Sequence, residues 1–103
     1  PAAKKEVLFK PDDDLTPKEQ CNVLLTKHLL SPNEAVDAFE EMKRRHPNEA
    51  CIYWNLGRKY EQLGRNRQAL SAYKRYIELD PQASQRETIE KKKIPNLEAK
   101  LRQ

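Results

Sequence analysis

The sequence predicts an all-α fold built on a repeated helical hairpin. Helix starts are marked by Thr16-Pro17-Lys18-Glu19 and Ser31-Pro32-Asn33-Glu34, capping boxes with Pro at the first helical position; Ser84-Gln85-Arg86-Glu87 reads as a third. A displacement of 34 residues superimposes Ala35, Val36, Phe39, Met42 and Pro47 on Ala69, Leu70, Tyr73, Tyr76 and Pro81. No segment alternates apolar and polar residues over the length of a strand.

Taken in order, the punctuation predicts helices near 17–30, 32–45, 49–63, 66–79 and 83–102. Gly64, behind Leu63, supplies the left-handed residue that ends the third. Pro47 and Pro81 each require the preceding helix to stop before them. Pro95 lies inside the last helix and is expected to kink or split it. Residues 1–15 read as an arm, either disordered or docked on the domain. Pro1, Pro11 and Asp12-Asp13-Asp14 oppose regular structure there, and Val7-Leu8-Phe9 is its apolar patch.

Within each half of the repeat the 1, 3, 3 spacing keeps the side chains on one helical stripe. The Ala at the head of the stripe lets another helix come close, and the aromatic four residues on fills the next turn. Residues 50–83 then read Tyr53-x2-Leu56-Gly57-x2-Tyr60, Ala69-x3-Tyr73 and Pro81. This pattern resembles the tetratricopeptide repeat. Two positions depart from it. Tyr53 stands where Trp is usual, with Trp54 beside it, and Tyr76 replaces a small residue.

Residues 16–49 resemble a degenerate repeat whose second helix matches well. Its first helix fits better at an offset of 32, which aligns Cys21, Leu24, Leu25 and His28 with Tyr53, Leu56, Gly57 and Tyr60. Residues 84–103 continue as one helix with Ile94, Leu97 and Leu101 on one side and Ile89 further back, as a capping helix requires. The resemblance implies a tetratricopeptide-like α-α superhelix of two hairpins and a cap.

Composition narrows the function class. The chain has 103 residues, a formal net charge of +4 and 35% charged residues, with a mean hydropathy of -1.02. No run approaches the ~18 apolar residues of a membrane span, and residues 1–10 lack a signal-peptide pattern. Cys21 and Cys51 are too few for a disulfide framework and read as free thiols in a reducing, cytoplasmic setting. A bridge between them requires the two helices that carry them to be neighbours. His28 and His46 have no cysteine at a zinc-like spacing, so neither a metal nor a cofactor is expected.

Lys43-Arg44-Arg45, Arg65-Asn66-Arg67 and Lys91-Lys92-Lys93 sit close to acids, which favours solvated helix faces over a nucleic-acid footprint. Catalysis is not expected. Cys21 and His28 lie two helical turns apart, about 10 Å along an axis, and there is no Gly-rich phosphate loop.

In the tetratricopeptide family the first helices line a concave groove that holds extended peptides or helices. The resemblance therefore nominates Trp54, Asn55, Arg58 and Gln62 on one first helix, with Asn22 and Thr26 on the other, as partner-binding residues. Trp54 points about 110° from the centre of the Tyr53-Leu56-Gly57-Tyr60 stripe, where the repeat's own core has no evident use for it. It either packs against a neighbouring first helix or the cap, or stands free as an anchor in the groove. Of the residues that grip the chaperone C-terminal carboxylate in some family members, only Asn55 is present, so that activity is not expected.

The expected function is a non-catalytic protein-interaction or scaffold module with a peptide or helical partner. Two alternatives remain open. One is a basic RNA-binding module. The other is an assembly or dimerisation piece, or a secretion-type chaperone, inside a homo-oligomer or larger complex.

Overall fold

A computed structural model describes residues 15–26 and 30–103, with the side chains of 22–26 outside the description. Residues 1–14 of the arm at 1–15, and His28, lie outside the described residues. The helices are α1 (Pro17–Thr26), α2 (Pro32–Arg45), α3 (Ala50–Gln62) and α4 (Asn66–Leu79). The last helical stretch, α5, runs through a turn at Arg86–Thr88, a π-helical segment at Ile89–Lys93 and an α-helix at Ile94–Arg102. Among the described residues there is no strand.

The first two capping boxes form. Glu19 N–H donates to Thr16 Oγ1 at 3.2 Å while Thr16 N–H donates to Glu19 Oε1 at 2.9 Å. Ser31 and Glu34 repeat the exchange at 3.3 and 3.1 Å. The third box does not. The chain turns through Ser84 and Gln85, and Arg86 opens the helix with no side-chain cap. Local charge pairing explains this difference: the Glu87 carboxylate that would reach back instead accepts from Lys91 at 2.9 Å. α1 is also shorter than expected, since Leu30 is already outside a helix.

Gly64 closes α3 with φ +74°. Arg65 N–H reaches Tyr60 O at 2.9 Å and Gly64 N–H reaches Glu61 O at 3.1 Å, the paired bonds of a Schellman turn. α2 and α4 end alike before their prolines. His46 and Asp80 take nearly the same backbone angles, (-133°, 70°) and (-137°, 73°), and donate to Met42 O and Tyr76 O. Pro95 does not split its helix. The preceding π-turn, in which Ile94 N–H bonds Ile89 O, widens the coil where the proline ring would press on the last turn's carbonyl.

The core is one stack. Phe39 and Met42 of α2, Ile52 and Leu56 of α3, Ala69 and Tyr73 of α4, and Ile89 and Leu97 of α5 are all fully buried. Each large apolar side chain there contributes roughly 1.5–3 kcal/mol of burial. α3 and α4 pack tightly at Gly57, where an added Cβ would lie 2.7 Å from the Tyr73 ring. α1 adds Cys21, 1% exposed, to the same core.

Candidate functional site

Helical spacing divides α3 into two faces. Tyr53, Leu56, Gly57 and Tyr60 turn toward α2 and α4, while Cys51, Asn55, Arg58 and Gln62 follow one another along the other side. At the start of that second face Cys51 is joined to Cys21 by a disulfide, with a Cα–Cα separation of 6.6 Å. The expectation of free thiols is corrected here. α1 lies against the first turn of α3, bringing the Pro17 carbonyl oxygen 3.9 Å from Cys51 Sγ. That proximity is tertiary and could not be read from two lone cysteines. It also removes Cys21 as a candidate nucleophile.

One turn further on, Asn55 is 2% exposed. Its Nδ2 donates to the Cys51 carbonyl at 2.8 Å, and its Oδ1 has no partner among the described residues. An Asn so placed does not offer both amide ends to a peptide, which corrects its expected exposure. Cys51, one turn before Asn55 on the same side of α3, is the residue bridged to α1.

Trp54 lies against the core at its inner side. It is half-buried, and the rings it meets belong to its own repeat: Tyr73 at 5.9 Å and Tyr76 at 5.5 Å between centroids. Tyr76, standing where a small residue is usual, extends the apolar edge of α4 far enough to meet a ring 110° off the stripe. The outer face of Trp54 carries the Arg58 guanidinium, 5.6 Å from the ring centroid.

Arg58 and Gln62 are exposed. With Lys59, Glu61 and Lys93 they line an open cleft of about 360 Å³ between the end of α3 and α5. Glu61 is already engaged: Tyr73 Oη donates to it at 2.7 Å and Lys93 Nζ at 3.1 Å. Burial works to raise the Glu61 carboxyl. The hydrogen bonds from Tyr73 and Lys93, with the charges of Lys93 and Lys100, outweigh it and hold the group below the usual carboxylate range. Burial and the Glu61 carboxylate together push the Tyr73 hydroxyl well up. The cleft is thus left with the positive charge of Arg58 and Lys59. Asn22 and Thr26 belong to α1, and their side chains lie outside the description. The structure therefore gathers Arg58 and Gln62 beside Trp54, and withdraws Asn55.

The sequence reading missed a larger opening between α2 and α4, about 730 Å³, floored by Tyr53 and Tyr60. Tyr53 Oη donates to Pro47 O at 2.5 Å, and Tyr60 Oη bonds Glu40. Its sequence signal was faint: Lys74 and Arg75 simply follow a core Tyr, as surface residues on any helix would.

Among the described residues no three His, Cys, Asp or Glu side chains are placed to hold a metal ion. No described helix is long and apolar enough to cross a membrane. No curated protein and no solved structure matches the chain. The family model of the tetratricopeptide repeat matches residues 50–83. That span is α3, the Gly64 turn, α4 and Pro81, the hairpin whose packing has just been described. This chain therefore carries a repeat of the tetratricopeptide family at residues 50–83, within an all-α helical fold.

Proposed function

We propose that the chain is a non-catalytic protein-interaction module, and that the Arg58–Gln62 face of α3 contacts a peptide or helix of a partner protein. Tetratricopeptide repeats serve protein interaction in general, and residues 50–83 are such a repeat. The observation that carries the finer reading is the stacked pair on α3. Arg58 is exposed, lies over the only Trp of the chain, and forms no ion pair among the described residues. An Arg on an aromatic platform is the kind of group on which binding energy concentrates once a partner covers it.

The basic runs support this reading over an RNA-binding one. Lys43 pairs with Glu40 at 2.7 Å, Lys91 with Glu87 at 2.9 Å and Lys93 with Glu61 at 3.1 Å. Carboxylates thus stand beside these cations and oppose a phosphate that would meet them. The Cys21–Cys51 disulfide supports a working environment oxidising enough to keep it, in place of the cytoplasmic setting that free thiols implied.

The test is affinity capture with wild-type protein beside Arg58→Glu, followed by titration of each purified partner. Expected is a shift of Trp54 emission on binding, and a loss of about tenfold or more in affinity for Arg58→Glu. A tight partner that ignores both the variant and the indole rules this face out.

A further inference from the structure

An opening of about 730 Å³ lies on the opposite flank of α3 from Arg58, between α2 and α4. Its walls are polar and its floor is aromatic; Tyr60 in that floor is buried and joins α3 to α2 through Glu40. Tyr53 is only half-buried there. The Arg75 guanidinium covers its ring at 6.0 Å and also donates to Asn48 Oδ1 at 3.1 Å. Both contacts are neutral, and Arg75 pairs with no carboxylate of the described residues.

Cations stand on both rims. Arg44 projects from α2 at 71% side-chain exposure, and Lys74 from α4 at 52%. Their carboxylate partners, Glu41 and Glu98, are half-exposed and lie outside the groove lining, so these pairs are weak and exchangeable. The acids within the groove are unequal. Glu40 is spent on Tyr60 and Lys43, leaving Glu78 as an opposing charge. Gln68 and Ser71, one turn apart on the exposed rim of α4, offer an amide and a hydroxyl to a main chain laid along it.

We propose that this groove binds an extended acidic peptide segment of a partner protein, with an aromatic or aliphatic side chain seated on Tyr53 and carboxylates flanking it toward Arg75, Lys74 and Arg44. Charge complementarity selects the occupant. A basic segment meets three cations, and a wholly apolar one leaves Arg75 desolvated without a counter-charge. The proposal rests on the reading of the chain as a protein-interaction module and adds a second site to it, on the flank away from Arg58.

The experiment selects binders from a displayed library of random dodecapeptides against the intact, oxidised full chain. The enriched peptides are then synthesised and titrated against wild type, Arg75→Glu, Lys74→Glu and Arg58→Glu, with thermal melts to confirm each variant is folded. Expected are peptides rich in Asp and Glu around a Phe, Trp or Leu. Their affinity falls about tenfold or more in Arg75→Glu and steeply with salt, and is unchanged in Arg58→Glu. Should Arg75→Glu melt early, the exposed Lys74→Glu carries the same comparison, with a smaller loss expected.

Three results overturn the proposal: no enriched peptide, enriched peptides without acidic residues, or acidic peptides that bind both charge-reversed α4 variants as wild type. Peptides lost on Arg58→Glu alone overturn the groove while supporting the α3 face, so the two sites fail separately.

Discussion

Tyr73 and Gly57 meet face to backbone. The ring lies so close that a Cβ on Gly57 would sit 2.7 Å from its Cε1, while its hydroxyl donates to Glu61 at 2.7 Å. The ring is fully buried, so it is held at both ends and cannot swing away. This single contact sets how near α3 and α4 come.

Gly57→Ala is therefore expected to destabilise the protein, although Ala favours a helix over Gly by about 1 kcal/mol. Overpacking a tight contact costs about 1–3 kcal/mol, so the net loss is up to about 2 kcal/mol. Denaturant melts check this. Tyr73→Leu alone is expected to cost stability, but combined with Gly57→Ala the two losses should fall short of their sum. Strict additivity means the ring is not the obstacle.

The disulfide closes a loop with a sequence separation of 30. In the chain-entropy account such a loop is worth about 3–4 kcal/mol. A dithiol reductant, or Cys21→Ser with Cys51→Ser, should lower the melting temperature. α1, a ten-residue helix marginal by itself, should be the first part to gain amide exchange. Identical melts with and without reductant contradict the staple.

Glu61 makes stability depend on acid. Its carboxyl is held below its ordinary 4.5 by Tyr73, Lys93 and Lys100 despite the opposing effect of burial. A depressed carboxyl contributes stability that is present above the unfolded value and lost as pH falls through the folded one. Melting temperature should therefore drop below about pH 4.5. Glu61→Gln should flatten that acid limb while costing about 1–2 kcal/mol at neutral pH. An unchanged acid limb in Glu61→Gln would refute the assignment.

The alkaline limb has the opposite sign. Burial first, and then hydrogen bonds to Glu40 and Glu61, raise Tyr60 and Tyr73 far above the ordinary 10.0. Stability from a raised group is full below the unfolded value and fades as pH rises beyond it. Tyrosinate absorbance should lag behind that of the unfolded chain and appear together with loss of helix. Tyr73→Phe should remove part of this lag.

Trp54 tests packing against binding. Stacked on Tyr73 and Tyr76, it should cost about 2 kcal/mol when replaced by Ala and far less when replaced by Phe. If Trp54→Ala melts like wild type, the ring is not part of the repeat's core.

Much of the fold was legible before any coordinates. The boxes at Thr16 and Ser31, the Gly64 turn and the stops before Pro47 and Pro81 are local devices, satisfied within a few residues of where they are encoded. The buried stripe of Ile89 and Leu97 was legible for the same reason, as one face of one helix. The site was less so. Arg58 and Gln62 were found because helical spacing places them on one face. Asn55 shares that face but is buried, and the π-turn ahead of Pro95 depends on how α5 packs.

The amino-acid sequence by itself determined the helices, their ends and the tetratricopeptide hairpin, because capping, proline stops and apolar spacing act over at most a few turns of chain. Only the tertiary structure decided that Cys21 finds Cys51, that Asn55 is buried and that Trp54 leans on Tyr76. Each of these depends on the distance between helices far apart in sequence, and packing sets that distance.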